Sequence, residues 1–590
     1  MKAAEWLKTI YADSILCKLG KKISSAYHNS RIFSIWTRGE TDASLSDSVL
    51  LPKQKETKAF SAGLILPSMQ NTAGRMLHIS ISNLSLLILF WCLAVGADNL
   101  LDANYQSAVI FGILGVVCLP FVFVKATVYS LVATSLIGRF FELENSVERS
   151  QPNKWFLILV GILAILGGMY LPLTYSVLLP LIPIALVFLT YAKPIFFITL
   201  NVMSLPLFGT SACMVISVML ILSQLIQRVS GRLERQKMDY VDLLFLLYAL
   251  LCVVASAFSF AVGDSFRIAL MWVMLFSNVF IIYRNVRSAR DIVIILSGLL
   301  FSTLISSGIG LFQYFSGQVN TTWTDTSLFE DLQIRIYSTF ANPNVFGEFL
   351  LLAVPLAAGL GMYFKKIKYK IAAFLIAIVS LVALALTYSR GCYIGIAVTV
   401  VIFLWMYNKK ILGLLALIGI PVGIYMLPQN MIDRILSMAN LADSSTSYRL
   451  QIYEGTFNML DKFWLSGVGI GEEAFNHIYP HFGLNGVVAP HSHSLFLQLV
   501  VTFGIAGIIY FAVMMFIYHR NILSDMHRTK KTDKNRILLI TFGSILSGFL
   551  IQSIFDYTWY NYRVYLLFWI IIALGFSAHK ILRKEGIDNA

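Results

Sequence analysis

Two arginines in this sequence lie apart from its basic clusters and are suited to binding phosphate. Arg390 stands in the run TYSRG (387–391) between two apolar segments, and Arg449 opens a helix-like stretch at 448–460. A guanidinium keeps its charge at physiological pH, and its planar fork can bind two phosphate oxygens at once. Each arginine also has a structural interpretation. Arg390 could simply extend its side chain to the membrane interface, and Arg449 could be a solvated or salt-bridged surface residue.

Four of the nine histidines are clustered, with His477 and His481 four residues apart and His491 and His493 two apart. Such spacings suit zinc, but Pro480 interrupts the helix that would align the first pair, and the sequence has no His-Glu-x-x-His motif. We therefore predict no metal site and no cofactor. His493 precedes an apolar segment, where an imidazole can exchange a proton near pH 7 or simply cap a helix.

Further polar residues lie near the predicted ends of apolar segments. Glu348 and Asp556 are candidates for a catalytic base, with a structural role as the plainer alternative. Asn342 and Asn344 could bind sugar or phosphate, although Asn-Pro-Asn also forms a turn that begins a helix. Arg335, just before them, is a cationic candidate for substrate binding.

Composition makes the chain a membrane protein. It has 590 residues, of which 57% are hydrophobic and 13% charged, against about 25% charged in soluble domains. Apolar stretches recur from residue 79 almost to the C-terminus, and the mean hydropathy is +0.74. The net charge of +14 would suggest nucleic acid binding in a soluble domain, but in a membrane protein it marks cytoplasmic loops. We predict an all-α, polytopic helical bundle with no nucleic acid partner.

The apolar segments predict about 14 membrane-spanning helices, within a range of roughly 12 to 16. Residues 1–78 would form a basic cytoplasmic tail without a removable signal peptide, and 79–335 the N-terminal membrane helices. Residues 336–580 would form the core, including a large outer loop at 428–492, and 581–590 a short cytoplasmic tail. Five of the six cysteines lie in apolar runs, so we expect no disulfide framework.

The positions of the basic residues predict how the chain is oriented. Lys and Arg near membrane helices stay on the cytoplasmic side. The basic clusters fall in alternate loops, which predicts a multi-pass protein of the cell (inner) membrane with both termini in the cytoplasm. Seven basic residues are exceptions on the outer face and require an explanation: Arg267, Arg335, Arg390, Arg434, Arg449, Lys462 and Arg563.

An enzyme on the outer face has no nucleotide-activated substrates nearby and would take its donor from the lipid phase. A lipid-linked diphosphate is such a donor, and it requires cations beside its phosphates. No Asp-x-Asp pair lies in a predicted outer loop to hold a divalent metal there. Arginine side chains can take the place of a divalent metal beside the phosphates.

Four stretches in fixed order, within residues 335–575, resemble the bacterial O-antigen ligase and polymerase family of membrane glycosyltransferases. They are STFANPNVFG at 338–347, YSRG at 388–391, SYRL at 447–450 with GVG at 467–469, and HS at 493–494 with GIAG at 504–507. The resemblance implies that Arg390 and Arg449 contact a donor diphosphate and that His493 lies at the transfer centre. It also implies a GT-C-like helical fold, an inverting reaction and no metal requirement.

The predicted activity is transfer or polymerisation of a glycan from an undecaprenyl diphosphate donor onto an acceptor hydroxyl on the outer face. The acceptor could be a glycan, a lipid or a protein, and membrane lipids would surround the enzyme. The alternative is a transporter or flippase for a polysaccharide or lipid-linked glycan. Transporters tend to place ionisable groups inside their membrane helices, whereas here the central apolar runs are nearly free of charge.

Overall fold

The computed structural model describes residues 78–101, 105–127, 193–229, 238–317, 335–419, 444–530 and 532–588, with a few isolated positions between them. Within these ranges the chain is helical, apart from turns and one isolated β-bridge between Ser80 and Thr127. The helices are α1 (Ile81–Leu101), α2 (Tyr105–Cys118), α3 (Pro194–Ser204), α4 (Thr210–Val229), α5 (Tyr240–Ala257), α6 (Val262–Asn285), α7 (Ala289–Phe315), α8 (Pro343–Tyr363), α9 (Ile367–Leu386), α10 (Arg390–Tyr407), α11 (Lys409–Leu414), α12 (Ser444–Phe463), α13 (Glu472–Ile478), α14 (Leu495–Phe503), α15 (Ile505–Arg528), α16 (Asn535–Phe555) and α17 (Tyr562–Asp588).

The chain divides into two compact units. One comprises Met1–Phe196 and Leu222–Tyr240, and the other comprises Phe197–Ile221 and Val241–Ala590. All the residues singled out above as candidates for chemistry belong to the second unit.

The first unit contains a helix pair with its own small core. In it, α1 packs against α2 through Trp91, Cys92 and Val95 on α1 and Phe111 on α2. The rings of Trp91 and Phe111 meet edge to face at 5.4 Å, a favourable geometry for two aromatic rings.

Three helices form the centre of the second unit. Most residues of α8, α16 and α17 are buried, and α8 packs against α9, α10 and α16. Large apolar side chains on the surrounding helices are exposed instead, among them Leu375 and Ile378 of α9 and Trp405 of α10. An apolar outer surface is what a helix bundle presents to lipid.

Eleven of the described helices are long and apolar enough to cross a membrane, and shorter apolar helices cover Ser107–Phe123 and Pro194–Ser204. The predicted all-α membrane fold is confirmed. The count of about 14 spans stays a prediction, because the candidate spans near residues 155, 174 and 411 lie partly outside the described residues. Most of the predicted basic tail lies outside them as well, and the predicted domain boundaries stay predictions.

Short turns between consecutive helices bring the candidate residues to one end of the bundle. Asn342 caps α8, because its side chain accepts a hydrogen bond from the N–H of Asn344 at 2.9 Å, and Pro343 occupies the first turn. The turn that begins α10 at Arg390 lies at the same end as this cap. Lys366, between α8 and α9, lies at the opposite end.

The segment from α12 to α14 folds as a compact loop domain on the second unit. Gly467 and Gly469 have φ angles of +69° and +114°, which favour glycine, and a Cβ on Gly469 would lie 2.0 Å from Ser259 Oγ. Between them, the carbonyl of Val468 accepts a hydrogen bond from the N–H of Phe260 at 3.1 Å. The Gly-x-Gly motif thus docks this loop onto the turn between α5 and α6. Its apolar core consists of Ile452, Met459, Leu460, Val468, Phe475, Tyr479, Ala489 and Val501.

Candidate active site

A small polar cleft lies where the ends of α8, α10 and α16 meet the start of α12. Its volume is about 60 Å³, which at roughly 10 to 15 Å³ per water is room for about four to six water-sized groups. Five of the eight predicted site residues line it, and Tyr388, Ser389, Gly391 and Gln552 complete the wall. The five are Arg335, Asn344, Arg390, Arg449 and Asp556.

The N-terminus of α10 forms one wall of the cleft. Arg390 is the first residue of the helix and Ser389 its N-cap, so the first backbone N–H groups lie at the cleft, where a helix dipole favours an anion. Tyr388 before them has a φ of +50°, a strained value for a side-chain-bearing residue and one that recurs at functional sites. Gly391 allows close packing on α16, because a Cβ there would lie 1.8 Å from Gln552 Oε1.

Arg335 and Asn344 form the neighbouring wall. Arg335 donates hydrogen bonds to Asn344 Oδ1 at 2.7 Å and to the carbonyl of Thr387 at 2.9 Å. These bonds hold the guanidinium beside the start of α10. Asn342 does not line the cleft and serves as the cap of α8, so the helix-start alternative describes its position.

Arg449 reaches the cleft from α12 and attaches that helix to the end of α16. It donates to the carbonyl of Phe555 at 2.7 Å and to Asp556 Oδ2 at 3.3 Å. The side chain of Arg449 remains 27% exposed while that of Asp556 is 13% exposed, so the arginine is still accessible to a ligand. The salt-bridge and phosphate-binding interpretations of Arg449 are therefore compatible.

Asp556 joins Arg449 to His493. Burial alone would raise the pKa of Asp556, but Arg449 and then His493 hold the pKa of that carboxyl below its ordinary value. The Asp556 group is therefore an anion at neutral pH. His493 Nδ1 lies 3.5 Å from Asp556 Oδ1. An imidazole whose Nδ1–H faces a carboxylate presents its Nε2 to accept a proton.

The backbone around His493 is tightly specified. Its φ is +52°, and its carbonyl accepts a hydrogen bond from the hydroxyl of Tyr453 on α12 at 3.1 Å. Its N–H donates to His491 Nδ1 at 3.1 Å, which fixes His491 with the proton on Nε2. Burial and next the neighbouring His493 lower the pKa of His491 to about 3, so this second imidazole stays neutral.

The other two histidines of the cluster, His477 and His481, are exposed on the loop domain. In the part of the chain that the structure describes, no group of three or more His, Cys, Asp or Glu side chains is placed to share a metal ion. Metal independence stays a prediction.

Glu348 and Gln552 lie together behind the cleft wall. Glu348, in the second turn of α8, is buried, forms a hydrogen bond with Gln552 and interacts electrostatically with Asp556 and Arg449. Gln552 and Tyr453 were not among the predicted site residues. A signal for each was present in the spacing, because Gln552 precedes Asp556 by one helical turn and Tyr453 follows Arg449 by one.

Residues 350–512 match the family model described as O-antigen ligase, and this match confirms the resemblance seen in the motifs. The matched segment contains Arg390, Arg449 and His493, while Arg335 and Asp556 lie on either side of it. A comparison with curated proteins gave no match. The family match indicates a membrane enzyme for glycan transfer of the ligase or polymerase type.

Proposed function

We propose, on the premise that residues 350–512 form an O-antigen ligase domain, that this protein is an inverting, metal-independent glycosyltransferase. It transfers or polymerises a glycan from undecaprenyl diphosphate onto an acceptor hydroxyl on the outer face of the cell membrane. The observation that carries the proposal is the convergence of Arg390, Arg449 and Asp556 at one cleft, with His493 beside it, 3.5 Å from the Asp556 carboxylate. These residues come from distant parts of the chain and meet at one end of the bundle.

The cleft has the charge that a diphosphate requires. Arg335, Arg390 and Arg449 line it against the single carboxylate of Asp556, and the N-terminus of α10 adds backbone donors. As the bond to the lipid diphosphate breaks, negative charge grows on the leaving oxygen. Fixed donors at such a position commonly contribute about 3 to 4 kcal/mol each to lowering the barrier.

The Asp556–His493 pair handles the proton of the acceptor. The acceptor oxygen forms a bond to the anomeric carbon, the bond from that carbon to the phosphate oxygen breaks, and the hydroxyl proton passes to His493 Nε2. Asp556 then faces a cationic imidazole and stabilises it, because its carboxylate lies 3.5 Å from Nδ1. A single displacement of this kind inverts the anomeric configuration.

The orientation of the protein follows from its basic clusters. Lys366 and the basic residues beside it, between α8 and α9, lie at the end of α8 opposite the cleft. The positive-inside rule favours a cytoplasmic location for that end and for both termini. The partners are then a lipid-linked glycan donor and a glycan, lipid or protein acceptor outside. The exceptional arginines at 335, 390 and 449 are the cations of the donor site.

The test is transfer by the purified protein in nanodiscs containing an undecaprenyl diphosphate-linked glycan and candidate acceptors, with EDTA present. We expect Arg449→Ala and His493→Ala each to lower kcat/KM by about 100-fold or more. Lys462→Ala is the matched control, because Lys462 is a cation on the same helix that lies over the ring of Phe482, 5.2 Å from its centroid, away from the cleft.

Three outcomes contradict the proposal. Wild-type turnover by both variants removes the site assignment, and loss of activity with EDTA removes metal independence. Movement of a labelled donor across the bilayer without a new glycosidic bond supports the transporter alternative.

A further inference from the structure

The amide of Gln552 is a polar group that the proposed mechanism does not use. Gln552 lies in α16, lines the cleft and is only 2% exposed. Its Oε1 has no hydrogen-bond partner among the residues that the structure describes. Native proteins seldom leave a buried carbonyl oxygen without a partner, and one that borders a ligand cleft suggests that the ligand supplies it.

Glu348 sets the direction of this amide. Glu348 is 3% exposed and forms a hydrogen bond with Gln552. Because Oε1 lacks a partner, that bond is made by Nε2, which donates to the carboxyl oxygen. Oε1 is therefore turned away from Glu348 and lies against Gly391 at the start of α10, where a Cβ would approach it to 1.8 Å.

The arginines of the cleft favour an anion, whereas the carbonyl oxygen of Gln552 does not. Oε1 repels phosphate oxygens and accepts a hydrogen bond from a hydroxyl or an amide N–H. Gln552 lines the same small cleft as Arg390 and Arg449, so a partner that reaches Oε1 from the cleft is close to the bound phosphates. The groups that meet both conditions are a substituent of the first sugar of the donor and the reacting hydroxyl of the acceptor.

We infer that Gln552 is a substrate-positioning residue, whose Oε1 accepts a hydrogen bond from a hydroxyl or amide N–H next to the donor diphosphate. This inference rests on the proposed function. The cleft then has two parts: the arginines, which bind the phosphates, and Gln552, which recognises the sugar or the acceptor. Glu348 holds the amide of Gln552 in the orientation that this recognition requires.

The experiment uses the full-length protein in nanodiscs with the variant Gln552→Met, which has similar volume and no acceptor oxygen. We measure binding of undecaprenyl diphosphate without sugar, binding of the glycan-linked form, and the KM for donor and acceptor. Gln313→Met is the matched control, because Gln313 is also buried but accepts from the N–H of Ser338 at 2.7 Å and donates to its carbonyl at 3.2 Å.

We expect Gln552→Met to bind undecaprenyl diphosphate as the wild type does. Loss of one neutral hydrogen bond predicts a change of about 3- to 10-fold. A weaker affinity for the glycan-linked donor assigns the bond to the donor sugar, and a raised KM for the acceptor alone assigns it to the acceptor hydroxyl. Equal weakening for both lipid diphosphates, or no change in any measurement, overturns the inference.

A second variant keeps the inference testable if Gln552→Met does not fold. Glu348→Gln retains the side-chain volume but lets the amide of Gln552 turn. We therefore expect weaker affinity for the glycan-linked donor or a raised KM for the acceptor, as in Gln552→Met but by a smaller factor. Combined with Gln552→Met, it should add nothing further, because both act through the same bond. A wild-type protein that neither binds nor transfers the glycan contradicts the proposed function itself.

Discussion

At the scale of single residues, the site depends on two histidines, two positions apart, that have different environments. His491 is buried and accepts a hydrogen bond from the N–H of His493. Its ring meets that of Tyr557 edge-on at 5.2 Å and that of Tyr560 at a tilt at 4.8 Å. His493 faces the carboxylate of Asp556. The sequence predicts proton transfer for His493 only, and the structure shows how differently the neighbouring His491 is placed.

A pH experiment tests the neutral state of His491. Its pKa of about 3 lies below that of an unfolded histidine, so the unfolded state binds an extra proton and stability falls as the pH drops from about 6.5 toward 3. His491→Asn keeps an oxygen that can accept the N–H of His493 but cannot titrate. We expect the thermal unfolding midpoint of the wild type to fall between pH 7 and 4.5 and that of His491→Asn to fall less. Parallel profiles for the two proteins would contradict the buried neutral state.

At the scale of helices, the sequence predicted most of the elements but not their contacts. Arg390 and Arg449 could be found because they break the charge pattern of a membrane protein, and the cap at Asn342 follows from its residue type. Gln552 does not break that pattern; its spacing from Asp556 is a weaker signal, and its contact with Gly391 depends on how α10 packs on α16. The Gly-x-Gly motif was visible, but its partner Ser259 is about 200 residues away in sequence and depends on tertiary folding.

The close packing of α10 on α16 leads to a test with a matched glycine. In Gly391→Ala the new methyl group would lie 1.8 Å from Gln552 Oε1, so the buried amide must leave its position. We expect a loss of about 1 to 3 kcal/mol in stability and a larger fractional loss of transfer activity. Gly413→Ala, on α11, is the control, because its added Cβ meets nothing within 4 Å. Equal effects of the two substitutions would show that the contact with Gln552 is unimportant.

At the scale of the whole molecule, the cleft lies at one end of α8 and the basic turn with Lys366 lies at the other. This separation makes a sidedness experiment decisive. Glu473→Cys, exposed on the loop domain, should react with a membrane-impermeant maleimide in intact spheroplasts, and Lys366→Cys should react only after permeabilisation. Cys92, Cys213, Cys252 and Cys392 are buried, and Cys17 and Cys118 are replaced by serine in both proteins to keep the background low. Labelling in the reverse order would place the cleft in the cytoplasm and remove its donor.

The volume of the cleft limits what the enzyme can sense. A space of about 60 Å³ admits phosphate groups and the atoms beside them, but not a sugar chain. Everything beyond the first sugar must then extend into the surrounding medium, where these residues do not touch it. The residues that line this cleft therefore give no means of distinguishing short chains from long ones, so any control over chain length has to come from elsewhere.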